Sequence, residues 1–124
     1  MKYIFTNKEI RKQFKNVSGI YALYYNNEII YIGKSKDIHN RIRAHNNPNQ
    51  LNNIYKQIEK ENGKCNRDKE VQLYTFIREY KDNMYFDVLY ICNEEDLNKY
   101  EEYYIMKYQP KYNYSGVDRT YVVN

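Results

Sequence analysis

The sequence predicts an α+β fold, a small three-stranded antiparallel sheet flanked by helices, and three observations carry that expectation. Two β-branched and aromatic runs, 20–25 and 29–32, are separated by Asn26-Asn27, the composition of a hairpin. A third dense run, 84–92, is bounded by Asp82-Asn83 and Asn93 and reads as a central strand. Most other apolar residues recur at three- and four-residue spacing, the period of an amphipathic helix. At 124 residues and 15.3 kDa the chain is the size of one domain, residues 1–124.

Thr6 followed by Glu9 has the form of a capping box, and Ile10 with Phe14 gives one apolar face, so a first helix is predicted near 7–15, ending before Ser18-Gly19. After the hairpin, Gly33 ends the second strand, and Ser35 or Asp37 caps a helix over 38–45 with Ile38 and Ile42 on one face. The Asn-rich stretch 46–53, with Pro48, reads as a loop. Leu51, Ile54, Tyr55 and Ile58 then mark a helix stopping near Gly63, and Leu73, Phe76, Ile77 and Tyr80 another within 68–81, joined by 64–68. Asn93 caps the final helix, which turns Leu97, Tyr100, Tyr104, Ile105 and Tyr108 inward and ends at Pro110. The tail is rich in turn residues until Tyr121-Val122-Val123.

Mean hydropathy of −1.00 and 29% charged residues exclude a chain that spans a membrane by helices, because no apolar run nears the roughly 18 residues needed. Cys65 and Cys92 form no close pair and no secretory signal opens the chain, so a cytoplasmic protein with free thiols is expected. The net charge of +4 suits a polyanionic partner without requiring one. Its distribution says more: Lys34, Lys36, Arg41 and Arg43 face only Asp37 in 34–45, whereas five carboxylates face only Lys99 in 93–102. Seventeen tyrosines against four phenylalanines put a hydroxyl on much of the apolar mass. His39, His45, Cys65 and Cys92 lack the paired spacing of a zinc site.

The residues most able to carry chemistry form an ordered series. Gly19-Ile20-Tyr21 is followed by Tyr31-Ile32-Gly33-Lys34, and Arg41 and His45 stand one turn apart on the next helix. Glu101 lies four residues after Leu97 and four before Ile105, within or beside an apolar stripe, where a carboxylate is costly unless a cation or donors meet it. A stripe-edge glutamate reaching water or a lysine is the bland alternative. The series resembles the GIY-YIG nuclease family, named for those two tripeptides. The run 31–42 is similar to the branch containing the incision subunit of bacterial nucleotide excision repair, and 73–86 to homing and phage members. Glu101 with the later Pro110-Lys111-Tyr112-Asn113 resembles the family's metal-binding glutamate and its Pro-x-Tyr-Asn segment. The resemblance covers about 18–113, with 62–70 as a possible insertion.

That resemblance implies a DNA endonuclease using one Mg²⁺ or Mn²⁺ ion. Tyr21 is its leading candidate for general base, assisted by Tyr31 and Lys34, with the choice among the three open. A phenol needs a nearby cation to serve as a base at neutral pH, and Lys34 is the nearest in sequence. Arg41 would stabilise charge at phosphorus, His45 would contact phosphate or position the base, and Glu101 would hold the ion. Gly19, Gly33 and Asn113 are supporting positions, and Lys36 and Arg43 candidate contacts to the DNA backbone. A shared role for Tyr21 and Tyr31 demands one sheet face, which a plain two-residue turn forbids and a three-residue loop or a bulge permits. The alternatives are a noncatalytic nucleic-acid-binding domain, or a cutting subunit whose homodimer or specificity partner selects the target.

Overall fold

Asn26 and Asn27 both take left-handed backbone angles, φ 52° and 63°, and make the primed two-residue turn whose twist matches paired strands. They join β2 (Gly19–Tyr25) to β3 (Glu28–Ser35) in a computed structural model that describes residues 1–62 and 67–113. The third expected strand is present as β4 (Tyr85–Ile91), antiparallel to β2. A fourth, β1 (Tyr3–Ile4), corrects the expected count: the order is β1-β4-β2-β3. Two residues are too few to show a period, yet Tyr3 pairs with Phe86 and packs against Phe86 and Phe14 with ring centroids 5.4 Å from each. β3 also runs two residues past its expected end at Gly33.

Two bulges set which side chains share a face. Tyr24 pairs with Ile29 but Leu23 pairs with Tyr31, so Ile30 is extra. Ile30 and Tyr31 therefore both join Tyr21 and Leu23, while Ile29 and Ile32 turn to the other side. The two-residue turn and the shared phenol face coexist because the bulge restores the parity that the turn removes. A matching shift in β4 pairs Ile20 with Tyr90 and Tyr21 with Val88, leaving Leu89 extra.

Helices cover both faces. The first carries Phe5, Tyr21, Leu23, Phe86 and Ile30 against α1 (Lys8–Arg11), α2 (Ile38–His45), α3 (Gln50–Lys60) and α4 (Asp68–Tyr80). The second carries Ile20, Ala22 and Ile32 against Leu97 and Ile105 of α5 (Leu97–Tyr108). Asp37 caps α2 by accepting from the Asn40 N–H at 3.1 Å. Asn7, in place of the expected Thr6, caps α1 by accepting from Ile10 at 3.0 Å; α1 then tightens into a 3₁₀ turn over Lys12–Phe14. Asn93 opens a 3₁₀ turn without a side-chain cap, and α5 begins three residues later than its expected cap implies. α3 starts inside the expected loop. Tyr108, expected to face inward, is exposed and lines a surface cleft with Tyr24, Asn27 and Ile29.

Arg67 binds Glu61 through two parallel contacts of 2.9 and 3.1 Å and Glu70 at 2.9 Å, tying the end of α3 to the start of α4. Cys65 and the run 121–123 lie outside the described residues, as do residues 63–66 of the possible insertion.

Candidate active site

Tyr21 and Gly33 face each other across β2 and β3, and the Tyr21 ring lies against the Gly33 backbone. A Cβ at position 33 would collide with the phenol oxygen and ring, so glycine is required there by contact. Gly19 is required likewise, because a Cβ would strike the Tyr90 carbonyl of β4. The Tyr21 hydroxyl reaches His45 Nε2 at 2.6 Å, and His45 Nδ1 reaches the Tyr74 hydroxyl, also at 2.6 Å. Tyr21 is 0% exposed and His45 1%, so this chain of three is sealed from solvent.

Burial, and then Arg41, hold the His45 pKa well below its usual value, so the ring is neutral. A neutral ring has one donor and one acceptor nitrogen, so one phenol donates to it and the other accepts. Arg41, one turn before His45 on α2, is placed to donate to the phenol oxygens of both Tyr21 and Tyr31. Burial raises both phenol pKa values, and Arg41 opposes the rise. Its positive charge penalises an imidazolium and only partly offsets the burial that keeps the Tyr21 phenol protonated, so Tyr21 O–H donates to Nε2 and Nδ1–H donates to the Tyr74 oxygen. Tyr31 is half-buried, with its ring 6.3 Å from that of Tyr21 and 5.6 Å from His45.

Lys34 follows Gly33 on β3 and points to the opposite face, toward α5. There its ammonium stands 3.8 Å from Glu101 and donates to Asn98, one helical turn before Glu101. The Glu101 side chain is 24% exposed; burial raises its pKa, and Lys34 and Arg41 pull it back. Glu101 in turn raises Tyr31, which places the carboxylate and that phenol in one field. The chemistry of this donor set fits a divalent ion of the Mg²⁺ type: one partly buried carboxylate, beside a lysine and an amide. Such ions commonly take one or two carboxylates and complete their shell with water and phosphate oxygens. No group of three acidic, histidine or cysteine side chains suited to an all-protein metal cage occurs among the described residues.

Asn113 is 6% exposed, and its side-chain amide bonds the backbone of β3: Oδ1 accepts from Ile32 N–H and Nδ2 donates to Ile32 C=O, both at 2.7 Å. The Tyr112 N–H donates to the carbonyl of the bulged Ile30 at 3.0 Å. One amide side chain and one backbone group thus pair the outer edge of β3 beside Tyr31.

Residues 17–113 match the family model for the GIY-YIG catalytic domain. The chain belongs to the GIY-YIG family. Among solved structures it is similar to the N-terminal GIY-YIG endonuclease domain of UvrC from Thermotoga maritima bound to its catalytic divalent cation, magnesium. That match has 28% identity and a TM-score of 0.52, covering 88% of this chain and 100% of that one. A tyrosine-to-phenylalanine point mutant of the same domain, bound to the divalent cation, matches at 26% identity and TM-score 0.52, over 88% of this chain and 99% of that one. No curated protein matches the chain. No helix among the described residues is long and apolar enough to cross a membrane.

With the GIY-YIG motif in place, the expected site residues separate. Tyr21, Tyr31, Arg41 and His45 gather on one sheet face, and Lys34 with Glu101 on the other side of β3. Lys34 is therefore not the cation beside Tyr21; the strand alternation sends it away, and Arg41 takes that place. His45 has both ring nitrogens engaged in the interior, by Tyr21 and Tyr74. Lys36 pairs with Glu94 at 3.6 Å, and Arg43 points away from Arg41 into a separate cleft. Sequence reasoning missed Tyr74, which sits among the apolar positions of α4 like any packing tyrosine, and Asn98.

Proposed function

We propose that this GIY-YIG domain is a DNA endonuclease that hydrolyses a phosphodiester by in-line attack of water. The observation that carries the reading is the grouping of Arg41, two phenols and the half-buried Glu101 carboxylate around the Gly33 segment of β3. Arg41 binds a nonbridging oxygen of the scissile phosphate and gains importance as charge builds in the transition state. Tyr31 takes the proton of the attacking water: it is the phenol that has exposed surface, whereas Tyr21 has none. Tyr21 holds Arg41 on its inner side, and the Tyr74 and His45 chain holds Tyr21.

Glu101 would hold one divalent ion, with Lys34 shifting from it to a phosphate oxygen. Bound there, such an ion would neutralise charge on the phosphate and on the leaving 3′ oxygen. UvrC's domain binds a catalytic divalent cation, which supports the same requirement here.

The test is cleavage of matched single-stranded, duplex, flap and branched DNA with Mg²⁺, with Mn²⁺ and with chelator. Metal-dependent products with mapped ends are expected from at least one form. Binding without cleavage on every form would replace the enzyme with a noncatalytic DNA-binding domain.

A further inference from the structure

α2 has a second polar face. Away from Arg41 and His45, Asn40 and Arg43 open into a cleft of about 730 Å³, walled also by α1, the 46–48 loop and the 3₁₀ turn Lys81–Asn83. Its charged lining is Lys8, Arg11, Arg43 and Lys81 against one carboxylate, Asp82. Arg11 is the unusual member. It is 6% exposed, its buried Nε has no hydrogen-bond partner, and no ion pair to it occurs among the described residues. Burial and the neighbouring Arg43 both disfavour its charge. A guanidinium whose buried Nε has no partner is a cost that an anion in the cleft would offset.

The lining also indicates which anion. Among the described residues it has no aromatic ring on which a base could stack, and only Ala44 and Pro48 are apolar. Guanidinium forks and lysines suit phosphate oxygens. We propose that this cleft binds backbone phosphates of DNA outside the step being cut, with Arg11 as the buried anchor and Lys8, Arg43 and Lys81 as outer contacts. The inference rests on the nuclease reading of the opposite face of α2. A helix with side chains is about 10–12 Å across, close to the width of a major groove, so phosphates on the two flanks of α2 suit one bound duplex.

The test is duplex binding by the full chain in EDTA, where no cleavage intervenes, measured across a salt series. The variants are Arg11→Gln, the surface pair Arg43→Gln/Lys81→Gln, and the charge-matched pair Lys56→Gln/Lys60→Gln on the exposed side of α3. The cleft pair is expected to flatten the slope of log K against log salt by about 0.9 for each phosphate no longer neutralised, with the α3 pair near wild type. If Arg11→Gln fails to fold, the surface pair carries the test alone. A wild-type slope for the cleft pair, or an equal loss from the α3 pair, overturns the proposal while leaving cleavage intact. Thermal stabilisation by inorganic phosphate that the cleft pair loses, with duplex affinity unchanged, would reassign the cleft to free phosphate and also overturn it. A folded wild type that binds no form of DNA removes the nuclease reading itself.

Discussion

Tyr21 and Tyr31 are the same side chain on the same sheet face, and their exposure separates their roles. With Tyr31, the half-buried phenol, as the proposed acceptor of the water's proton, Tyr31→Phe is expected to lower single-turnover cleavage by at least about 10²-fold, the usual worth of a general base. Because burial raises its pKa, wild-type cleavage is expected to rise with pH through the neutral and mildly alkaline range with no plateau near 7, and Tyr31→Phe to flatten that rise. An unchanged profile in the variant would move the proton acceptor elsewhere. His45 makes a different prediction, on stability. Its folded pKa is depressed, so below about 6.5 the unfolded chain gains a proton that the native ring refuses. Stability is therefore fully present above that pH and falls as pH drops below it, by up to about 1.4 kcal/mol per unit until the native ring protonates. Melting curves of wild type and His45→Gln between neutral and mildly acid pH check this, and a parallel fall in both would refute it. The sequence made the positions of Tyr21, Arg41 and His45 legible through their order. It could not distinguish Tyr74 from the many packing tyrosines, because only the fold brings α4 against α2.

At the scale of elements, the decisive feature is the extra residue at Ile30. Asn-Asn reads plainly as a two-residue turn, and the sheet pattern alone then places the two phenols on opposite faces. The bulge is stabilised from a distance: the Ile30 carbonyl accepts from Tyr112, and Asn113 pairs both backbone groups of Ile32. Asn113→Ala is expected to cost about 2–4 kcal/mol, since it orphans a donor and an acceptor that are both buried. The check is chemical denaturation together with cleavage, which should fall as Tyr31 loses its fixed position. A stability change under about 0.5 kcal/mol would mean that the β3 edge holds itself. Gly33→Ala should cost about 1–3 kcal/mol by overpacking against the Tyr21 ring, and also disturb Arg41. The helices were legible from their apolar spacing because each buries one stripe. β1 and the 3₁₀ turns were not, because segments of two or three residues carry no period, and long-range pairing with β4 decides them.

For the whole molecule, charge is arranged by layer. α2 presents Arg41 and Arg43 on opposite faces, and α5 brings Glu101 to the side of β3 away from Tyr31. The sequence revealed the basic and acidic segments but not their separation by the sheet, which follows from strand alternation and sends Lys34 toward Glu101. A single site of this kind cuts one strand per encounter. Supercoiled plasmid is therefore expected to yield nicked circles before linear product; linear product from the first turnover would show paired sites. The central claim is that the Glu101 carboxylate makes this fold a metal-dependent nuclease. It is tested most directly by single-turnover cleavage under a Mg²⁺ titration for wild type and Glu101→Gln, with folding and DNA binding verified for both. Saturable, Mg²⁺-dependent cleavage by wild type is expected, with a loss of at least about 10²-fold in the variant at every Mg²⁺ concentration. Equal cleavage by the two proteins, or equal rates with and without chelator, would contradict it.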